Sequence, residues 1–161
     1  MNAPTSLLIP EQIDIEEFNQ LRLKTLDAFY TLDVALEDWL HDIGSKCPTA
    51  STGCRINALA TAQFPANVAS KAQADYLSGL NSELSSAIEV RNLVVHSRAS
   101  FGYVGDRPTI FLKPVGFKFA SSNGYLHFEL QDIELAIKVA SSAAAKISAW
   151  RKQRDAKQAS A

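Results

Sequence analysis

The sequence predicts a mainly α-helical protein: an antiparallel bundle of about four helices, with a small antiparallel β-hairpin or sheet inserted before the last helix. Three observations carry this. Two long stretches repeat apolar residues every three or four positions, one between Phe18 and Ile43 and one between Leu77 and Val95. The segment between them and the C-terminal stretch is short, aromatic and β-branched, with Gly and Pro punctuation. The last stretch is rich in alanine, the best helix former. With 161 residues and 47% apolar side chains, the chain suffices for one sizeable core, so residues 1–161 read as a single domain.

Residues 1–10 read as a short arm. Asp14 and Glu17, three apart, have the spacing of a capping box and open the first helix, which the apolar repeat carries to about Ile43. Phe18, Leu21, Phe29, Leu32, Leu36, Trp39 and Leu40 fall on one side of it. Gly44 to Gly53 is turn-rich. A short helix is expected from Arg55 to Phe64, because Pro65 disfavours the helical region for the residue before it. The second long pattern runs from Val68 to His96, with Leu77, Leu80, Leu84, Ile88 and Val95 as its stripe.

Strands are expected at Phe101–Val104, Thr109–Lys113, Gly116–Ala120 and Tyr125–Leu130, with two to four of them forming. Ser121-Ser122-Asn123-Gly124 between alternating aromatics is the strongest hairpin signal. Asp132 reads as the N-cap of a last helix reaching about Arg154, and residues 155–161 as a frayed polar tail.

Sixteen basic and seventeen acidic side chains leave a net charge of −1, so no global field draws the chain to nucleic acid or to an anionic membrane. No run approaches the roughly 20 apolar residues of a spanning helix, and the first residues lack a basic region followed by an apolar one. The expectation is no membrane association and a cytoplasmic location. Cys47 and Cys54 lack the spacing of a zinc site and read as reduced thiols. Phosphate-binding glycine loops, nucleophile elbows, zinc patterns and paired catalytic carboxylates are all missing from the sequence, and neither a metal nor a cofactor is expected.

The segment with chemical content is Arg91-Asn92-Leu93-Val94-Val95-His96. At about 100° per residue, Arg91 falls in the apolar stripe of its helix, where a guanidinium needs a partner, a cleft or a second subunit. His96 lies about 140° around the axis from Arg91, beside Asn92 one turn earlier. An imidazole suits proton transfer near neutral pH, and a guanidinium suits a phosphate and its developing charge. Together they fit cleavage of RNA, whose 2′-hydroxyl supplies the nucleophile. A dimer, or a helix that frays after Val95, would let the two side chains converge.

Arg91-Asn92, three further residues and His96, after a leucine-striped helix, resemble the Arg-x4-6-His signature of HEPN domains. The match is confined to residues 91–96; the helix order over residues 11–154 is compatible with that family's helical bundle. The resemblance implies a dimeric fold and, for catalytic members, a metal-independent endoribonuclease of toxin, defence or RNA-processing type. It assigns catalytic roles to Arg91, Asn92 and His96, and implies an RNA substrate, a homodimer through the Arg91–His96 helix and an antitoxin partner. The β insertion departs from a minimal four-helix bundle.

Two other readings stay open: a HEPN-like module used for dimerisation or for binding a partner or nucleic acid without cleavage, and a purely structural role. In the latter Arg91 pairs with a first-helix carboxylate, Glu17 or Asp33, and His96 caps its helix. His41 and His127 read as structural. The aromatics Phe101, Tyr103, Phe111, Phe117, Phe119, Tyr125 and Phe128, with Arg98, Arg107, Lys113 and Lys118, offer either a stacking platform for bases or ordinary packing. Arg151, Lys152, Arg154 and Lys157 read as a solvated helix end.

Overall fold

The computed structural model describes residues 15–45, 51–114 and 126–160. In chain order these form α1 (Ile15–Asp42), α2 (Thr52–Ala60), α3 (Lys71–His96), β1 (Ser97–Val104), β2 (Arg107–Pro114), β3 (Leu126–Phe128) and α4 (Leu130–Ala159). The predicted class holds: four helices, with a small antiparallel sheet before the last. Asp14, Cys47 and the Ser121–Gly124 turn lie outside the described residues.

α1, α3 and α4 form the bundle. Phe18 and Leu21 meet Ile133 at one end, and at the other Asp42 meets Arg151 and Arg154, so α1 and α4 run parallel. Tyr76 stacks edge-on against Trp150 while Val90 lies beside Asp132, so α3 runs antiparallel to α4. Ala136, Ala140, Ala143 and Ala144 on α4 are buried against the large side chains of α1. Small residues on one helix opposite Phe29, Leu32, Leu36 and Trp39 on the other let the two helices pack closely. Trp39 Nε1 donates to the Ile147 carbonyl at 3.2 Å, so the one polar atom of this buried ring is paired.

Several boundaries differ from expectation for local reasons. α2 opens three residues early, because Ser51 is an N-cap whose Oγ accepts from Cys54 N–H, and it stops at Thr61, whose hydroxyl donates back to Asn57 and Ala58 carbonyls. Pro65 sets only an upper limit for that helix. α3 begins at Lys71 behind a capping box, Ser70 and Gln73, that the sequence reading passed over. Asp132 is not the N-cap of α4. Glu129 holds that position, and Asp132 reaches back to accept its N–H at 3.0 Å. The helix continues through residues 155–159, where a frayed tail was expected.

The sheet order is β1-β2-β3, all antiparallel. β1 begins at Ser97, four residues earlier than expected and directly after the last residue of α3. Its turn to β2 is Gly105-Asp106, with Val104 opposite Arg107 and Gly105 at φ 61°. Glycine at the first of two turn positions is the mark of a type II′ hairpin, whose twist matches that of the strands. Ile110 and Leu112 point into a second apolar cluster with Phe18, Leu21, Leu93, Val94 and Ile133. The sheet therefore packs over the end of the bundle where α3 finishes, and it is this packing that fixes the surroundings of residues 91–97.

Candidate functional site at the end of helix α3

Arg91 sits where the helical period places it. Leu77, Leu80, Leu84 and Ala87 are buried in succession, Leu93 and Val94 are buried at the far end, and Arg91 lies half-buried between them. Ile88 and Val95, assigned to the stripe from sequence, fall on its flank and are half-buried. Asn92 and His96 are half-buried as well.

The structure joins two of the three residues. Arg91 Nη1 donates to Asn92 Oδ1 at 2.9 Å, so Asn92 holds the guanidinium rather than leaving its carbonyl for the imidazole. Arg91 Nε is buried without a hydrogen-bond partner, a costly state for a charged group. His96 is the last residue of α3, about 7.5 Å further along the axis by helix geometry.

Asp33, one of the two α1 carboxylates considered for Arg91, feels its charge. Asp33 is itself in an ion pair with Arg55 of α2 at 3.3 Å and accepts from the Thr52 hydroxyl at 3.1 Å. Burial pushes the Asp33 carboxyl above its ordinary range, against the opposing pull of Thr52, Arg55 and Arg91. The Asp33 carboxylate thus pairs with one guanidinium, that of Arg55, and feels the charge of a second, that of Arg91.

A residue that the sequence reading missed organises the end of the helix. Arg22 of α1 donates from Nε to the Val94 carbonyl at 2.8 Å, and from Nη2 to Val95 and Ser97 carbonyls at 3.4 and 2.6 Å. The last carbonyls of a helix have no partners within it and carry partial negative charge, so a guanidinium meets them favourably. Arg22 also lies 5.3 Å from the centre of the Phe18 ring. The signal was present: Arg22 is flanked by Phe18, Leu21 and Thr25, all buried, at the spacings that share its side of the helix.

The remaining sequence candidates are accounted for differently. Arg151 and Arg154 are bound to Asp42, with Asp38 and Asp155 completing the network, so they are not simply a solvated helix end. Phe101 packs edge-on against Phe18 at 5.8 Å and belongs to the core under the sheet. Arg107 pairs with Glu129 at 3.2 Å. His41 is exposed, and Cys54 is an exposed free thiol. Phe117, Lys118, Phe119 and Tyr125 lie outside the described residues. A groove of ≈ 390 Å³ between α3 and α4, lined by Glu83, Ala87, Val90, Leu135 and Ala136, has none of Arg91, Asn92 or His96 in its wall. Among the described residues, no cluster of His, Cys, Asp and Glu could hold a metal ion, and no helix is long and apolar enough to cross a membrane.

The arrangement therefore consists of one guanidinium steadied by an amide and felt by the Asp33 carboxylate, and an imidazole at a helix end fixed by a second arginine. No family model, curated protein or solved structure matches the chain.

Proposed function

We propose that this protein is a HEPN-like, metal-independent endoribonuclease acting as a homodimer, with Arg91, Asn92 and His96 as its working residues. The observation that carries the reading is the half-buried Arg91 guanidinium, held by Asn92 and with a buried Nε still unpaired, five residues before His96 on the same helix. Arg91 binds the scissile phosphate and offsets the charge that develops on it. His96 accepts the 2′-hydroxyl proton as that oxygen attacks phosphorus. The bond to the 5′-oxygen breaks, and the imidazolium returns a proton to the departing oxygen. The products are a 2′,3′-cyclic phosphate and a 5′-hydroxyl. Asn92 positions Arg91.

Incubation of the purified protein with RNA in EDTA is expected to yield cyclic-phosphate ends, and His96→Ala to reduce cleavage by about 100-fold or more, within the range attributed to a general acid–base residue. Equal cleavage by His96→Ala would remove His96 from the mechanism. A toxin-type enzyme of this kind acts with a neutralising antitoxin, so growth arrest of a host expressing wild type but not His96→Ala is the corresponding test in cells.

A second reading, a module for dimerisation or partner binding without catalysis, is favoured by the attraction between Arg91 and Asp33, which occupies part of the arginine's charge within the fold. It requires that wild-type protein leave RNA intact under the same conditions.

A further inference from the structure

The core uses one face of the sheet. Ala99, Phe101, Ile110 and Leu112 point into the second apolar cluster. Alternate residues of a strand point the other way, which puts Arg98, Ser100 and Gly102 of β1 and Phe111 and Lys113 of β2 on the opposite face. Phe111 is half-buried yet belongs to neither apolar cluster of the described residues. Its ring leans diagonally across the ribbon onto Gly102, so closely that a Cβ there would lie 3.1 Å from the ring edge. Glycine admits that approach, and the phenyl group covers bare backbone as a flat apolar plate.

On the same face, one step nearer α3, Arg98 and Lys113 are direct cross-strand partners, and both are exposed. Like charges placed opposite each other destabilise a sheet, and an anion lying across both removes the repulsion. Residues 97–114 carry Arg98, Arg107 and Lys113 against Asp106 alone, in a chain whose net charge is −1. The ribbon is therefore locally cationic where the whole molecule is not. Arg107, near the turn, is matched by Glu129, so the cationic end of the ribbon is the end at α3.

We propose that this outward face receives single-stranded RNA: a base stacks on Phe111, Arg98 and Lys113 hold the neighbouring phosphate, and the strand runs on to His96. This rests on the reading given under Proposed function and deepens it, by naming the form of the substrate and the residues that receive it. The spacing fits. Arg98 follows His96 by two residues, and Ser100, the cross-strand partner of Phe111, follows Arg98 by two more. Two residues of a strand span about 7 Å, a step that one nucleotide of an extended strand can cover. An aromatic plate beside cations suits unpaired bases, whose faces are open to stacking. In a duplex those faces are occupied by neighbouring bases, so the surface selects single strands.

Binding is measured with the full chain carrying His96→Ala, by fluorescence anisotropy of a short labelled oligouridine and of an RNA duplex of equal length. Phe111→Leu, which keeps apolar cover over Gly102, is expected to weaken binding of the single strand by about tenfold or more, and Phe111→Tyr to preserve it. Duplex binding should not respond to either. Arg98→Gln, an exchange at an exposed position, should lower the slope of log Kd against log salt by about 0.7, the value for one phosphate contact of a single strand. Tyr30→Ser, at an exposed aromatic of α1, should change nothing. Affinity indifferent to Phe111→Leu, or equally sensitive to Tyr30→Ser, overturns the proposal. Should Phe111→Leu fail to fold, photocrosslinking of 5-bromouridine RNA decides: a crosslinked peptide that holds Phe111 supports the platform, and crosslinks confined to other peptides overturn it. Cleavage assays separate the two readings. A wild type that cleaves while Phe111→Leu alters neither Kd nor KM overturns the platform and leaves the enzyme standing. A wild type that binds through Phe111 and does not cleave overturns the enzymatic reading and leaves the platform standing.

Discussion

Arg22 shows how one side chain can decide the position of another that it does not touch. Its three acceptors are main-chain carbonyls at the end of α3, the peptide groups that set where His96 begins and Ser97 leaves. Replacing Arg22 with Met keeps most of the packing on Phe18 and strands those carbonyls. At roughly 1.5–3 kcal/mol for a hydrogen bond to a charged group, with partial compensation by water, the expected loss is about 2–4 kcal/mol in a urea titration. If the proposed chemistry is right, Arg22→Met lowers kcat more than it raises KM, because Arg91 still binds the phosphate while His96 is misplaced. Arg91 itself was legible in the sequence as an arginine in an apolar stripe. Its bond to Asn92 was not, because two adjacent residues on a helix diverge by about 100° and only a long flexible side chain closes the gap. Arg22 was overlooked for the opposite reason: nothing in its own helix needs it, and its partners lie more than 70 residues away.

At the level of elements, long periodic segments were legible and the ends of elements were not. The line of Phe18, Leu21, Phe29, Leu32, Leu36, Trp39 and Leu40 identifies α1 and its buried side without ambiguity, and all seven are buried. Boundaries depend instead on single hydrogen bonds. The Ser70–Gln73 box and the Glu129–Asp132 bond each move a helix start by two or three residues from where hydrophobicity alone puts it. The β1–β2 turn carries a comparable lesson. Gly105-Asp106 is a two-residue hairpin signal as good as Ser-Asn-Gly, and it was read as punctuation because the strands flanking it are half exposed and lack strict alternation. Gly105 at positive φ admits few other residues. Gly105→Ala should cost about 1–2 kcal/mol, seen as a lower thermal midpoint, while Gly79→Ala in the middle of α3, where nothing lies within 4 Å, should raise it.

For the whole molecule, the far end of the bundle is tied by charge. Asp42 closes α1, and Arg151 and Arg154 of α4 hold it at 2.8 and 2.6 Å, with all three side chains largely shielded. Burial opposes ionisation of Asp42, but the hydrogen bonds and charges of the two arginines outweigh it and hold the carboxyl below its ordinary value. A carboxyl with a lower pKa in the folded chain than in the unfolded one stabilises the fold fully above the unfolded value, about 3.9, and that contribution disappears as pH falls through the folded value. Asp42→Asn should therefore be less stable than wild type by about 2–4 kcal/mol at pH 7, with the difference shrinking as pH falls through the folded value, a comparison made by urea midpoints across the range. Asp33 carries the opposite sign: its raised pKa means that ionisation weighs against folding as pH rises through the folded value, so the two aspartates of α1 pull the stability curve in opposite directions.

The junction of α3 and β1 has no loop: His96 ends the helix and Ser97 starts the strand. A joint without slack cannot act as a hinge, so the β-ribbon is a handle rigidly attached to the His96 end of the helix. Tilting the ribbon turns His96 with it, while Arg91, more than a helical turn back in the packed stripe, stays in place. In hydrogen exchange the amides of Arg98 and Ser100 should then open together with those of Val94 and Val95, as one cooperative unit, and a ligand that grips the ribbon would be felt at the imidazole without contacting it.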